Sequence, residues 1–208
     1  MNPTPSKTFD SNKEARYASR IARKKVMMDA KIAAADIDTG LLLVLTGNGK
    51  GKSSSAFGMV ARAIGHGMKV GVVQFIKGRT DTGEESFLSK QPNVEWHVMG
   101  DGFTWDTQNR EQDTRSAQAA WAVAQQMLQD ESFHLVVFDE LTYTVKYGYL
   151  EADIIVHDLL SRPEMQHVVV TGRHAPEAIL DIADTITEMQ VVKHAFHAGI
   201  KAQQGVEW

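Results

Sequence analysis

The chain has 208 residues, enough for one domain with a full core or one domain with an appended arm. A hydrophobic content of 43% and a charged content of 23% are those of a soluble globular protein, and the net charge of −4 argues against a general nucleic-acid binder. Cysteine is absent, which removes disulfides, thiolate nucleophiles and thiolate metal sites and fits a reducing, cytoplasmic setting.

No apolar run reaches the roughly 18 residues that a membrane span needs. Residues 1–12, "MNPTPSKTFDSN", lack the apolar core of a secretory signal and read as a loose tail. Residues 13–35 read as a helix, with Tyr17, Ile21, Met28 and Ile32 on one narrow apolar stripe. Seven Lys or Arg fall between Lys13 and Lys31, against Glu14 and Asp29. Two readings are open: a solvated helix packing one stripe on the body, or a basic arm that closes over an anionic ligand. Residues 1–40 are taken together as a tail and a basic helical arm.

After Gly40 the pattern changes to short apolar runs alternating with helical stretches. Strands are expected at 41–46, 69–76, 94–99, 134–139 and 167–172, and helices at about 52–65, 109–130, 151–161 and 176–183. Strands apolar on both faces belong in parallel sheets covered by helices on both sides. The expectation is one three-layer α/β domain over 41–208, with a mainly parallel sheet.

The stretch "TGNGKGKSS" (46–54) lies between the first strand and the first helix of that domain. Gly47, Gly49 and Gly51 let the backbone curl until its N–H groups face phosphate oxygens, with Asn48, Lys50 and Ser54 in the same loop. The helix that starts near Lys52 adds the positive end of its dipole. Lys52 neutralises phosphate charge, and the Ser53 hydroxyl is placed to hold Mg²⁺, for which Mn²⁺ is a substitute. The eight-residue phosphate-loop pattern begins with Gly, whereas this chain has Thr46 there. Further along, "LVVFDE" is a buried strand ending in Asp139 and Glu140, whose acid ties to Mg²⁺ directly or through water. The sequence leaves open which carboxylate touches the ion.

Three more stretches resist a generic reading. "VGVVQFIKG" puts Gln74 and Lys77 near the ligand edge of the sheet, and "GFTWDTQNRE" puts Phe103 and Trp105 in a loop before a helix. "VKHAFHAGIKAQQGVEW" (192–208) runs without a helical stripe. Together with "TGNGKGKSS", "VVFDELTY" and "VVVTGR", these resemble the P-loop-type ATP:corrinoid adenosyltransferases from about Leu41 to Trp208. In that family Thr46 belongs to the pattern.

The resemblance implies a RecA-like α/β fold, a homodimer, and transfer of the 5′-deoxyadenosyl group of ATP to the Co(I) of a reduced corrinoid. The product is adenosylcobalamin or a precursor, with inorganic triphosphate released. It also implies that Phe103 and Trp105 shape the corrin face and that an electron-donor flavoprotein is a partner. Lys77 and Arg173 follow strands at the ligand edge, where they and Gln74 are candidates for phosphate or corrin contacts. His194 and His197 carry no further ligand pattern and are not read as a metal pair. The rival readings are another P-loop ATPase or small-molecule kinase, and a carrier without turnover.

Overall fold

The computed structural model describes residues 11–76, 82–99 and 109–208. The chain divides into two compact units, Met1–Asp38 and Thr39–Trp208. The first holds α1 (Ser11–Ala33), rich in Ala, Lys, Arg and Met and free of Gly and Pro, so that helix propensity is high throughout. Glu14 in its first turn and Lys31 in its last complement the helix dipole. Tyr17, Ile21, Met28 and Ile32 are all exposed on it.

The second unit is built on six strands, β1 (Leu42–Thr46), β2 (Val70–Gln74), β3 (Val94–Val98), β4 (Leu135–Asp139), β5 (His167–Thr171) and β6 (Thr185–Glu188). They pair in the order β3-β2-β4-β5-β1-β6, and every pairing is parallel. The helices are α2 (Lys52–Gly65), α3 (Gly83–Leu88), α4 (Arg110–Gln129), α5 (Leu141–Lys146), α6 (Ala152–Leu160) and α7 (Glu177–Leu180), followed by a 3₁₀ turn at Ala195–Ala198. Among the described residues no helix is long and apolar enough to cross a membrane.

Successive strand residues point to opposite faces, and the core divides accordingly. On one face Leu45, Val70, Val72, Leu135, Val137 and Val169 pack with Ala56, Phe57 and Val60 of α2. On the other, Val44, Val73, Val136, Phe138, Val168 and Val170 pack with Trp121, Ala124 and Leu128 of α4, Ile155 and Leu159 of α6, and Ile179 of α7. Helices on both faces give the expected three layers. Phe138, fully buried, meets Trp121 at 5.6 Å and Phe75 at 6.1 Å between ring centroids. Burying a side chain of that size stabilises the fold by about 1.5–3 kcal/mol.

Five strands and the long helices fall where the sequence puts them. β6 is an addition: "TITE" is four residues long and wholly exposed, so it lacks the apolar run that marks the others. It forms because β1 offers a free edge, with Leu43, Val44, Leu45 and Thr46 opposite Thr185 to Glu188. The helix expected over 176–183 is only the single turn of α7, and α3 and α5 are short elements without a periodic signal.

One buried polar side chain closes the turn between α4 and β4. Gln166 is 2% exposed, and its Nε2 lies 3.1, 3.2 and 3.2 Å from the carbonyl oxygens of Met127, Asp130 and Phe133. Leucine would fill the same volume and strand those carbonyls away from water. Gln166→Leu is expected to lower unfolding free energy by about 2 kcal/mol. Urea denaturation with an unchanged m-value checks this, and a wild-type midpoint would remove the role.

Candidate active site

The C-terminal ends of β1, β2, β4 and β5 form one edge of the sheet, and the candidate site is built there. After β1 the chain turns through the glycine loop into α2. Gly51, at the N-cap of α2, has φ +111, a left-handed conformation that a side chain would strain. Gly49 is needed for closeness: a Cβ there would lie 2.7 Å from the carbonyl of Gln190, and its own N–H donates to Met189 O at 2.6 Å. The segment after β6 therefore braces the loop from outside.

Lys52 is 7% exposed and folds back over the loop, donating to the carbonyls of Gly47 at 2.9 Å and Gly49 at 2.8 Å. Burial lowers its pKa, with Glu140 opposing that shift and Arg173 and Lys50 adding to it. Lys50 is paired with Glu207. Thr46 has a structural task at the start of the loop. Its hydroxyl accepts from the N–H of Ala175 at 3.3 Å, joining the end of β1 to the turn after β5.

The acid pair ends β4, and the two carboxylates have different surroundings. Asp139 is 4% exposed and both its oxygens are engaged: Gln74 Nε2 donates to Oδ2 at 3.1 Å, and the Thr171 hydroxyl donates to Oδ1 at 2.7 Å. The Thr171 oxygen in turn accepts from the N–H of Glu140 at 3.0 Å. Glu140 sits at φ 59, ψ 25, a left-handed conformation that costs a non-glycine residue about 1–2 kcal/mol. Its Oε2 is buried with no protein hydrogen-bond partner. Burial first, and then the Asp139 charge, raise its pKa from 4.5 to about 7, with Lys52 and Arg173 partly offsetting them.

These groups face a cleft of about 370 Å³ lined by the loop from Gly49 to Ser54, with Gln74, Asp139, Glu140 and Arg173 opposite. Gly47 and Asn48 begin the loop but lie outside that lining. Several other lining groups carry no individual signal in the sequence: Phe57, Thr82, Glu84, Tyr143, Val206 and Glu207. Thr171 also went unnoticed, although a hydroxyl ending an otherwise aliphatic buried strand is a usable signal. Lys77, Phe103 and Trp105 lie outside the described residues.

The donor set suits a hard divalent cation. Ser53 offers a hydroxyl and Glu140 an orphaned carboxylate oxygen, all oxygen chemistry. Among the described residues no three His, Cys, Asp or Glu side chains converge, so such an ion would take most of its ligands from phosphate and water, as Mg²⁺ does.

A parallel sheet, a strand–glycine loop–helix turn ending in Lys-Ser, and a buried strand with an acid pair two places away in the sheet define a P-loop nucleotide-binding domain. Residues 38–208 match the family ATP:corrinoid adenosyltransferase BtuR/CobO/CobP. The chain belongs to that family. It is similar to a corrinoid adenosyltransferase of Pseudomonas aeruginosa, 58% identical over 209 residues with 100% of both chains covered. It is also 50% identical to one of Escherichia coli over 94% of this chain and 99% of the relative, and 49% identical to one of Salmonella typhimurium over 195 residues.

The acid pair generates a prediction for the protein free of metal and nucleotide. Glu140 has a folded pKa of about 7 against 4.5 unfolded, so between those values the folded state holds the extra proton. Its contribution to stability is whole below pH 4.5 and is lost as pH rises to about 7, a change on the order of 3 kcal/mol. Glu140→Gln removes this term, so the variant gains on the wild type across that interval. Denaturation of both proteins from pH 4.5 to 8 tests it; a constant difference would mean that Glu140 is not buried in this way.

Proposed function

We propose that the protein transfers the 5′-deoxyadenosyl group of ATP to the Co(I) centre of a reduced corrinoid, giving adenosylcobalamin or a precursor and releasing inorganic triphosphate. The observation that carries this reading is a phosphate loop facing a buried acid pair, in a chain 58% identical along its whole length to a corrinoid adenosyltransferase. The division of labour proposed is a tail and basic arm over residues 1–40 and a nucleotide- and corrinoid-binding domain over 41–208.

Co(I) brings its own electron pair, so no base is needed to make a nucleophile. That pair forms the Co–C bond to C5′, the C5′–O bond breaks, and its electrons leave with the triphosphate. The protein's task is to stabilise a highly charged leaving group. The amides of residues 47–54 face the phosphates, and Lys52 exchanges the carbonyls of Gly47 and Gly49 for phosphate oxygens. Ser53 and Glu140 would hold Mg²⁺, or Mn²⁺ in its place, with Asp139, already bonded by Gln74 and Thr171, in a positioning role beside them. The ion, when bound, neutralises phosphate charge. Arg173, exposed on the cleft, and Lys77 contact phosphate or corrin amide groups; Gln74 contributes the amide hydrogen not given to Asp139.

Phe103 and Trp105 present an apolar surface to one face of the corrin, which favours a four-coordinate cobalt that is easier to reduce. The acting unit is a homodimer in the cytoplasm, supplied with electrons by a flavoprotein; the absence of cysteine accords with that compartment.

The direct test is anaerobic: protein, Mg-ATP and chemically reduced cob(I)alamin, with the visible spectrum followed for a light-sensitive Co–C product and triphosphate assayed alongside. Equal amounts of both are expected; orthophosphate without alkylcobalamin would indicate an ATPase or kinase. Lys52→Ala is expected to cut the rate at least about a hundredfold with the fold intact, and wild-type turnover would refute the loop assignment. Trp105→Ala should slow turnover far more from Co(II) with a reducing system than from preformed Co(I). Equal losses in the two assays would remove the role of the aromatics.

A further inference from the structure

The hydrogen bonds around Asp139 continue outward to a residue that does not line the cleft. Trp96, half-buried on β3, donates its indole N–H to Gln74 Oε1 at 3.1 Å. The direction of every bond in the resulting chain is forced by chemistry. Indole nitrogen only donates and an ionised carboxylate only accepts, so Gln74 must turn its oxygen to Trp96 and its nitrogen to Asp139 Oδ2. The Thr171 hydroxyl has one hydrogen, given to Asp139 Oδ1, and its oxygen receives the N–H of Glu140. The sequence Trp96, Gln74, Asp139, Thr171, Glu140 thus runs across β3, β2, β4 and β5 without a break.

The sheet explains why these residues meet. Gln74 stands opposite Asp139 in the β2–β4 register, and Phe138 opposite Val170 sets Thr171 beside Asp139 one step later. All lie on the α2 face, one rung beyond Val72, Val137 and Val169. Trp96 is opposite Val72 and reaches up to the last rung, while its ring packs on Phe57 of α2 at 5.1 Å between centroids.

We infer that Trp96 is a positioning residue for the divalent-ion site. Its N–H fixes the amide of Gln74, Gln74 and Thr171 fix the carboxylate of Asp139, and Thr171 holds the backbone N–H of Glu140 in the left-handed turn that leaves the Glu140 carboxylate facing the cleft. Without the indole N–H the Gln74 amide is anchored at its nitrogen alone and can swing away from Asp139 Oδ2, which breaks the chain.

The inference rests on Glu140 as the ion's ligand, and the experiment separates the two. Mn²⁺ binding is titrated by electron paramagnetic resonance of the free ion, with ATP present and no corrinoid, alongside urea stability. Trp96→Phe keeps an aromatic ring against Phe57 and removes the N–H with part of the indole, a packing loss that the urea measurement reads separately; it is expected to weaken Mn²⁺ about five- to tenfold while ATP binding without metal is unchanged. Gln74→Leu should weaken Mn²⁺ by the same factor, and the double variant should bind Mn²⁺ no more weakly than Gln74→Leu alone, since Trp96 acts only through Gln74. Thr171→Val cuts the chain at its other end and should match them, which keeps the test open if Trp96→Phe does not fold. Wild-type Mn²⁺ affinity in Trp96→Phe or Thr171→Val, or losses that multiply in the double variant, would overturn the inference. Wild-type Mn²⁺ affinity in Glu140→Gln would instead overturn the ligand assignment.

Discussion

Asp139 is a carboxylate taken almost wholly out of water at the end of a fully buried strand, and the site is organised around keeping it satisfied. Leaving it without partners would cost several kcal/mol, so the fold must bring donors to both its oxygens. They come from the strands on either side, Gln74 of β2 and Thr171 of β5. This ties the edges of three strands at the end where the glycine loop begins. It also leaves Glu140 as the carboxylate with an unengaged oxygen. The two acids are adjacent in sequence and differ in surroundings: both oxygens of one are held by neighbouring strands, while the other keeps an oxygen without a protein partner.

The same division of labour runs through the loop. Lys52 spans the carbonyls of Gly47 and Gly49, so the cation proposed for phosphate also holds the loop closed on itself. Thr46 stands where the general pattern has Gly, and its hydroxyl fastens β1 to the turn after β5, beside Arg173. A glycine at that position would leave the Ala175 N–H without this acceptor. The departure from the common pattern thus links the two turns that flank the cleft.

Much of this was legible in the residues alone, for identifiable reasons. Aliphatic strands such as "LVVFD" announce themselves because both faces are buried, and "GKGKSS" carries geometry that only glycines and a helix start can satisfy. The separate fates of Asp139 and Glu140 were not legible, because they depend on Gln74 and Thr171 arriving from strands 65 and 32 residues away in sequence. β6 escaped notice because a polar four-residue strand borrows its order from β1 rather than from its own apolar pattern. Val206 and Glu207 escaped for a similar reason: nothing in "GVEW" signals that it folds back on a loop near residue 50.

That return of the chain governs when the site comes into being. The carbonyl of Met189 caps Gly49, and Glu207 pairs with Lys50 across 157 residues of sequence. A ribosome adding about 5–20 residues per second needs roughly 8–30 s to travel from one to the other. Throughout that interval the glycine loop is made but unbraced, and ATP is present in every cell that translates it. The sheet and α2 can assemble early, from strands β1 to β5, whereas the bracing of the loop waits for Met189 and then Glu207 to emerge. The bracing of the glycine loop is therefore separated in time from the making of the loop itself, by the translation of more than a hundred intervening residues.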